Sequence, residues 1–308
     1  MPRSRPQVST QSFLVFVVSA RALTITYLAK GCARMGDRLL AGLDYWFADV
    51  LPPSRLIVST DLWPPGDQRP SRFENLLRPV GLDAKTTEAF HLRESELIGA
   101  GHAVRASIHY GPADVMASCA VSLSNFARFL TESPLPDWLV VVDDDTFVNT
   151  PRMLAILGTM DASQVIWVGQ KHVELMFRHS NGTRVDQHKM VAGADRVPVT
   201  SSAAGFAFSS ALLRTIAKTW HGGDARSRCK TWRGDDTALS LLAIEAGARP
   251  TPHEDFGASM ADVLGIGLGQ NRSTPATVHC QSRVAKSSTR ECMEQVRHVF
   301  RARKYILS

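Results

Sequence analysis

An unbroken apolar run closing in three carboxylates, Trp138-Leu139-Val140-Val141-Val142-Asp143-Asp144-Asp145, constrains this chain more than any other feature. Large apolar residues without polar alternation describe a strand buried on both faces, and such strands lie in the middle of parallel sheets covered by helices. Open α/β sheets collect their ligands just beyond the carboxyl ends of the strands, which is where the three aspartates stand. Carboxylates this close repel one another, so the run predicts a cation or a diphosphate-bound metal among them. The same residues also suit a solvated turn leading into a helix, because Thr146 and Asn149-Thr150-Pro151 are good capping and first-turn residues. The depth of the apolar run favours the metal site.

Strand-like and helix-like segments alternate along the rest of the chain, which predicts an α/β sandwich. Residues 1–10 have the composition of a disordered leader. A first strand is expected over 13–18, followed by a helix from about 21 to 47, and Pro52-Pro53 breaks the chain before a second buried strand over 56–60 that ends in Asp61. The Pro-, Arg- and Asp-rich stretch 63–81 reads as a loop, with helices over 88–97 and 113–131. After the strand at 138–142 come a Pro-started helix over 151–160 and a strand at 165–168 ending in Gly169. A hairpin or flap over 170–198, a helix over 209–218 and another from Asp235 to Leu242 complete the pattern.

Stretch 13–29 invites a membrane reading, but Arg21 and several hydroxyls interrupt it, whereas a spanning helix needs about 20 apolar residues. No secretory signal with a cleavage site is evident, so the chain has the make-up of a catalytic domain without its anchor or signal. The net charge of +6 and pI of about 9.2 suit anionic substrates such as nucleotides and are too weak and scattered for nucleic acid. Five cysteines without a CxxC pair argue against structural zinc, while Cys280 and Cys292 are near enough in sequence to bridge. Asn181-Gly182-Thr183 and Asn271-Arg272-Ser273 would be glycosylation acceptors in a secretory lumen.

Three further segments are candidates for the same site. The small-residue stretch Ser202-Ala203-Ala204-Gly205 allows close backbone approach to a ligand, or equally close helix–strand packing. Asp235 and Asp236 open a helix, where the dipole favours acids; either would also serve as general base toward a hydroxyl. His279, delivered by an apolar stretch, could supply an imidazole ligand, although taken alone it better suits a core or surface histidine, and His253 ranks below it. Trp220 and Trp232 suit packing better than stacking on a sugar.

Taken in order, Ala117-Ser118-Cys119, Phe126-Ala127-Arg128-Phe129 and the segment from Trp138 to Asn149 resemble the Fringe-type β1,3-glycosyltransferases of glycosyltransferase family 31, relatives of the core 1 galactosyltransferases and plant Fringe-like proteins. Similarity continues through Trp167-Val168-Gly169, Ala204-Gly205-Phe206, Asp235-Asp236-Thr237 and Glu245-Ala246-Gly247, and the strand ending in Thr60-Asp61 is alike. Resemblance spans roughly residues 12 to 281, with 117–149 the most specific part. The family's Gly-Gly-Ala-Gly stands here as Ser202-Ala203-Ala204-Gly205, its His pair is reduced to His279-Cys280, and a cysteine shortly before Cys119 is absent. The segment from His253 to Gly257 is closer to the plant-like members.

The resemblance implies a GT-A-type nucleotide-sugar-binding fold with a mostly parallel central sheet flanked by helices. It implies one domain over 11–308, with a donor half to about 150, an acceptor half to about 281 and a helical tail. By the same resemblance Asp145 and His279 would bind Mn2+ or another divalent cation. Asp61, Asp143, Asp144, Ala204 and Gly205 would contact the UDP-sugar donor, and Asp236, or its neighbour Asp235, would be the base. The implied reaction is inverting transfer to the 3-hydroxyl of a glycan or glycoprotein acceptor in the Golgi or secretory lumen. Two alternatives stand beside it. One is a catalytically inactive Fringe-like domain that binds glycan or protein. The other is a metal-dependent phosphatase of the haloacid dehalogenase type, which Phe147 and the late position of the acidic strand disfavour.

Overall fold

The structure, a computed structural model, describes residues 22–31, 36–60, 95–106, 115–170, 173–175, 197–201, 203–220, 228–229, 235–259, 263, 274–280 and 288–307. Its frame is a seven-stranded sheet. Strands β1 (Ile25–Lys30), β2 (Arg55–Thr60), β3 (Ala103–Ala106) and β4 (Trp138–Asp143) run parallel in the order β3-β2-β1-β4. A short β5 (Thr146–Val148) leaves the sheet after β4. Beyond β4 the sheet continues through β9 (Phe206–Ser209), β6 (Trp167–Gly169) and β10 (Pro250–Pro252). Only β9 is reversed, being antiparallel to both β4 and β6. Two small antiparallel pairs lie outside: β7 (Val173–Leu175) with β8 (Val197–Val199), and β5 with β11 (Thr277–His279). The expected α/β class with a mostly parallel sheet is therefore observed, and the expected hairpin near 170–198 corresponds to the β7–β8 pair.

Alternation along the central strands builds two cores. Trp138, Val140 and Val142 of β4 join Ile25, Tyr27 and Ala29 of β1 on one face. That face is covered by α1 (Gly36–Tyr45), α3 (Thr150–Leu157) and α6 (Thr289–Leu307), through Ala41, Leu43, Met153, Cys292, Met293 and Val296. Leu139 and Val141, with Leu28 of β1, face the other way, against α2 (Val115–Leu130), α4 (Ser210–Thr219) and α5 (Asp235–Glu245). In α2 the buried residues Cys119, Ser122, Leu123, Phe126, Phe129 and Leu130 recur at helical spacing. Every residue of α5 from Thr237 to Ile244 is buried, so this helix is hidden all round, as in a three-layer protein. Each fully buried Val or Leu of the central strands contributes roughly 1.5–3 kcal/mol relative to exposure.

Sequence periodicity misplaces the first elements. The helix expected over 21–47 is in fact the central strand β1 followed by α1, which starts only at Gly36. Thr24, Ile25 and Thr26 are β-branched, and a strand at the sheet centre buries all six residues of β1, an apolar continuity that periodicity alone does not separate from a buried helix. The strand expected at 13–18, the leader, the loop at 63–81 and both glycosylation triplets lie outside the described residues. The helix expected over 88–97 is described only at 95–99. No helix among the described residues is long and apolar enough to cross a membrane.

Two disulfides tie the layers. Cys280–Cys292 joins the chain after β11 to α6, the pairing the sequence permitted. Cys119–Cys229, across 110 residues, links α2 to the helical residues 228–229 and was not anticipated. Asn149 caps α3 by accepting the Arg152 amide, as its sequence position suggests.

His102 supplies a pH-dependent contact at the sheet edge. Its ring is buried, and its Nδ1 accepts the Leu56 amide of β2 at 3.3 Å. Burial holds its pKa below the ordinary 6.5, so the unfolded chain takes up a proton that the folded chain refuses. Stability contributed by His102 is therefore complete above pH 6.5 and is lost as pH falls from there toward its lower folded value. Urea midpoints at pH 7.5 and 5.5 should show this loss in the wild type and a shallower pH dependence in His102→Gln.

Candidate active site

The carboxyl ends of β1 and β4 lie side by side, with Lys30 in register opposite Asp143. Strand alternation turns both toward the face that carries α5, because Leu28 and Lys30 point together, as do Leu139, Val141 and Asp143. Helix α5 begins there with Asp235 and Asp236. The Lys30 ammonium consequently sits among three carboxylates, at 3.0 Å from Asp143 Oδ1, 2.6 Å from Asp235 Oδ2 and 3.0 Å from Asp236 Oδ1. Only 4% of its side chain is exposed. Desolvation alone would lower its pKa, but the charges of Asp143, Asp235 and Asp236 outweigh burial and raise it well above the usual lysine range.

A second cation stands on α1. Arg38 Nη1 donates to Asp145 Oδ2 at 2.7 Å and lies 3.6 Å from Asp144 Oδ1. Asp144 is buried, and burial together with the charges of Asp145 and Asp143 raises its pKa to about 8 against the opposing pull of Arg38. It is therefore protonated at neutral pH. The sequence reading expected a metal as the cation that lets the aspartates coexist; the protein itself supplies two, Lys30 and Arg38. Five carboxyl groups against these two cations still leave negative charge in excess, even with Asp144 neutral.

The β5–β11 pairing brings in the histidine. Register places His279 opposite Thr146, so its ring meets Asp145, and the Cys280 amide donates to the Asp145 carbonyl at 2.8 Å. His279 Nε2 lies 3.5 Å from Asp145 Oδ1. Both atoms are buried and neither has a hydrogen-bond partner among the described residues. Buried polar atoms are rarely left unsatisfied. Their separation suits two ligands of one divalent cation, at bond lengths of about 2 Å each. Among the described residues no group of three or more histidine, cysteine or carboxylate side chains is arranged around a metal position. The protein would thus offer two ligands and leave the others to substrate and water, which fits a substrate-bridging ion better than a structural one.

Asp235 and Asp236 differ in their surroundings. Asp235 Oδ1 accepts the Asp236 amide at 2.9 Å while Oδ2 is held by Lys30. Burial pushes the Asp235 pKa up, but the Lys30 charge and hydrogen bonds from Lys30, Ser122 and the Asp236 amide prevail and leave it below the usual carboxylate value. Asp236 Oδ1 faces Lys30, and its Oδ2 faces the Ser201 hydroxyl at 3.4 Å.

The small-residue stretch has a packing role. Gly205 has a positive φ of 76°, and a Cβ there would lie 2.9 Å from Thr277 Cγ2. Thr146 Oγ1 donates to the Ala203 carbonyl, and Thr277 Oγ1 donates to that of Ala204. Ala204 and Gly205 thus let the chain entering β9 pack closely on Thr277 of β11. His253 belongs elsewhere: its Nδ1 accepts the Asp255 amide and its ring lies against Phe256, while Asp255 pairs with Arg152 of α3. Trp220 is buried and stacks on Phe126, as a packing residue does. Asp61, Ser202 and Trp232 lie outside the described residues. Lys30 and Arg38 escaped the sequence reading; a lysine closing an apolar segment was the only local signal for the first, and α1 gives none for the second.

A family model described as Fringe-like matches residues 85–256, more than half of the chain, and the chain belongs to that family. It is a family of glycosyltransferases, so glycosyl transfer is the class of chemistry this site serves. The phosphatase alternative falls with that assignment. No curated protein sequence matches the chain. Solved structures with a similar course include the galactosyltransferase LgtC in complex with donor and acceptor sugar analogs, at 11% identity and a TM-score of 0.45 over 90% of this chain and 95% of that one. The bifunctional glycosyltransferase WbbM, in its apo form, overlaps at 9% identity and a TM-score of 0.47, over 92% of this chain and 52% of that one. Overlaps this loose assign neither residues nor substrates.

Proposed function

We propose that the chain is a UDP-sugar-dependent, inverting β1,3-glycosyltransferase of GT-A type assisted by Mn2+ or a similar divalent cation. The observation that carries this reading is the buried pair Asp145 Oδ1 and His279 Nε2, unsatisfied among the described residues and 3.5 Å apart at the carboxyl end of β4, in a Fringe-like chain. Asp145 and His279 would hold the cation, which when bound offsets the charge of the diphosphate and of the departing UDP. Asp143 and Asp144 line the same edge and suit the ribose or donor sugar. Asp236 accepts the proton of the acceptor 3-hydroxyl as that oxygen attacks the anomeric carbon. Asp235 is the weaker candidate, because Lys30 and the Asp236 amide hold its two oxygens at 2.6 and 2.9 Å and its pKa is depressed, whereas the Ser201 hydroxyl meets Asp236 Oδ2 at 3.4 Å.

The acceptor on this reading is a glycan or glycoprotein, and the compartment is the Golgi or another part of the secretory lumen. The disulfides support an oxidising compartment, since such bonds are rare where thiols are kept reduced.

A screen of UDP-sugars by titration calorimetry or thermal shift, with and without Mn2+, tests the proposal. Mn2+-dependent binding of one UDP-sugar should appear in the wild type and vanish in Asp145→Ala. Absence of binding to the folded wild type at millimolar UDP or UDP-sugar would overturn the transferase reading in favour of a Fringe-like domain that binds without turnover.

A further inference from the structure

We propose that Lys30 is a positioning residue for the transfer: its single ammonium aligns Asp236 for proton abstraction by tying it to Asp235 and to Asp143 on the donor side. This inference rests on the transferase reading of the same site. An ammonium has three protons and no acceptor, and here three carboxylates from β4 and α5 surround it, at 2.6 to 3.0 Å. Burying such a charge is costly unless each donor finds a partner. The arrangement therefore defines one orientation of all three acids. It links the strand end that faces the donor to the helix start that supplies the base, two segments far apart in sequence.

The consequence for the base is directional. Oδ1 of Asp236 and Oδ2 of Asp235 are both drawn to Lys30, which leaves Oδ2 of Asp236 turned toward Ser201. The groups facing Asp236 include Lys30 from β1, Ser201 before β9 and Asp235 from its own helix. Arginine would not reproduce the arrangement, because its planar fork addresses carboxylates in one plane instead of three around a point. A salt bridge that merely stabilised the fold would require no such sharing between candidate base and donor-side carboxylate.

The test compares wild type, Lys30→Met and Lys30→Arg, which keeps a cation among the carboxylates but not its three-way contact. UDP binding with Mn2+ is measured by calorimetry, and turnover with the UDP-sugar the wild type uses. The expected result is a kcat lowered about 100-fold or more in a folded variant, with the UDP Kd in Mn2+ within about three-fold of wild type. Should Lys30→Met fail to fold, Lys30→Arg carries the same comparison. A kcat within about three-fold of wild type, a parallel loss of kcat and UDP binding, or the failure of both variants to fold would each make Lys30 structural and overturn the proposal. A wild type that neither binds UDP with Mn2+ nor turns over any UDP-sugar overturns the transferase reading itself, and that result appears before any substitution is made.

Discussion

Asp236→Asn should lower kcat by about 100- to 10,000-fold, the range a positioned general base supplies, while UDP binding in Mn2+ stays near the wild-type value. The asymmetry follows from position. Asp236 sits at the start of α5, across Lys30 from the strand end, whereas the candidate cation ligands Asp145 and His279 are held by the separate β5–β11 pair. Asparagine retains the shape and can still meet Lys30 through its amide oxygen, so the fold survives; what disappears is the acceptor for the hydroxyl proton. Single-turnover assays with saturating donor would read the effect directly. Asp235→Asn gives the contrast, because its oxygens serve Lys30 and the Asp236 amide. A larger kcat loss in Asp235→Asn than in Asp236→Asn would reverse the assignment of the base.

Gly257→Ala should destabilise the protein by about 2–5 kcal/mol, from two separate costs. Gly257 has a φ of 73°, where a side chain adds roughly 1–2 kcal/mol of strain. A Cβ there would also lie 2.6 Å from Ala204 Cβ, a rigid neighbour, and overpacking of that kind costs typically 1–3 kcal/mol. Gly247→Ala isolates the first cost, since its φ of 84° is similarly unfavourable but nothing lies within 4 Å of the added carbon. Urea unfolding of the two variants should differ by the packing contribution; equal midpoints would show that the contact relaxes freely. The Gly257 amide donates to Thr277 Oγ1 at 2.7 Å, two residues before His279. Displacement at Gly257 should therefore also weaken Mn2+-dependent UDP binding, although this glycine touches none of the carboxylates.

These two expectations draw on different kinds of information. The acids at 143–145 and 235–236 were legible because each follows or opens an element with a strong local signature, an unbroken apolar strand in one case and a helix start in the other. The positive φ of Gly205 and Gly257 was not legible, since a glycine in sequence does not say whether it serves a ligand, a turn or a close strand contact. The small-residue stretch at 202–205 shows this directly: ligand approach and packing were equally open, and the neighbouring Thr277 side chain reveals the packing. Likewise 25–30 is as apolar as a buried helix segment would be, and its place between β2 and β4 decides that it is a strand.

By itself the sequence determined the α/β alternation, the buried strand β4, its acidic end and the helix that begins at Asp235, because apolar periodicity and helix-start chemistry act within a few residues along the chain. Tertiary structure alone decided that Asp145 meets His279, that Cys119 bridges to Cys229, and that Lys30 and Arg38 balance part of the acidic charge. Those contacts depend on strand register and on which face a side chain takes, and a shift of one residue in either strand would send Lys30 or His279 to the opposite side of its sheet.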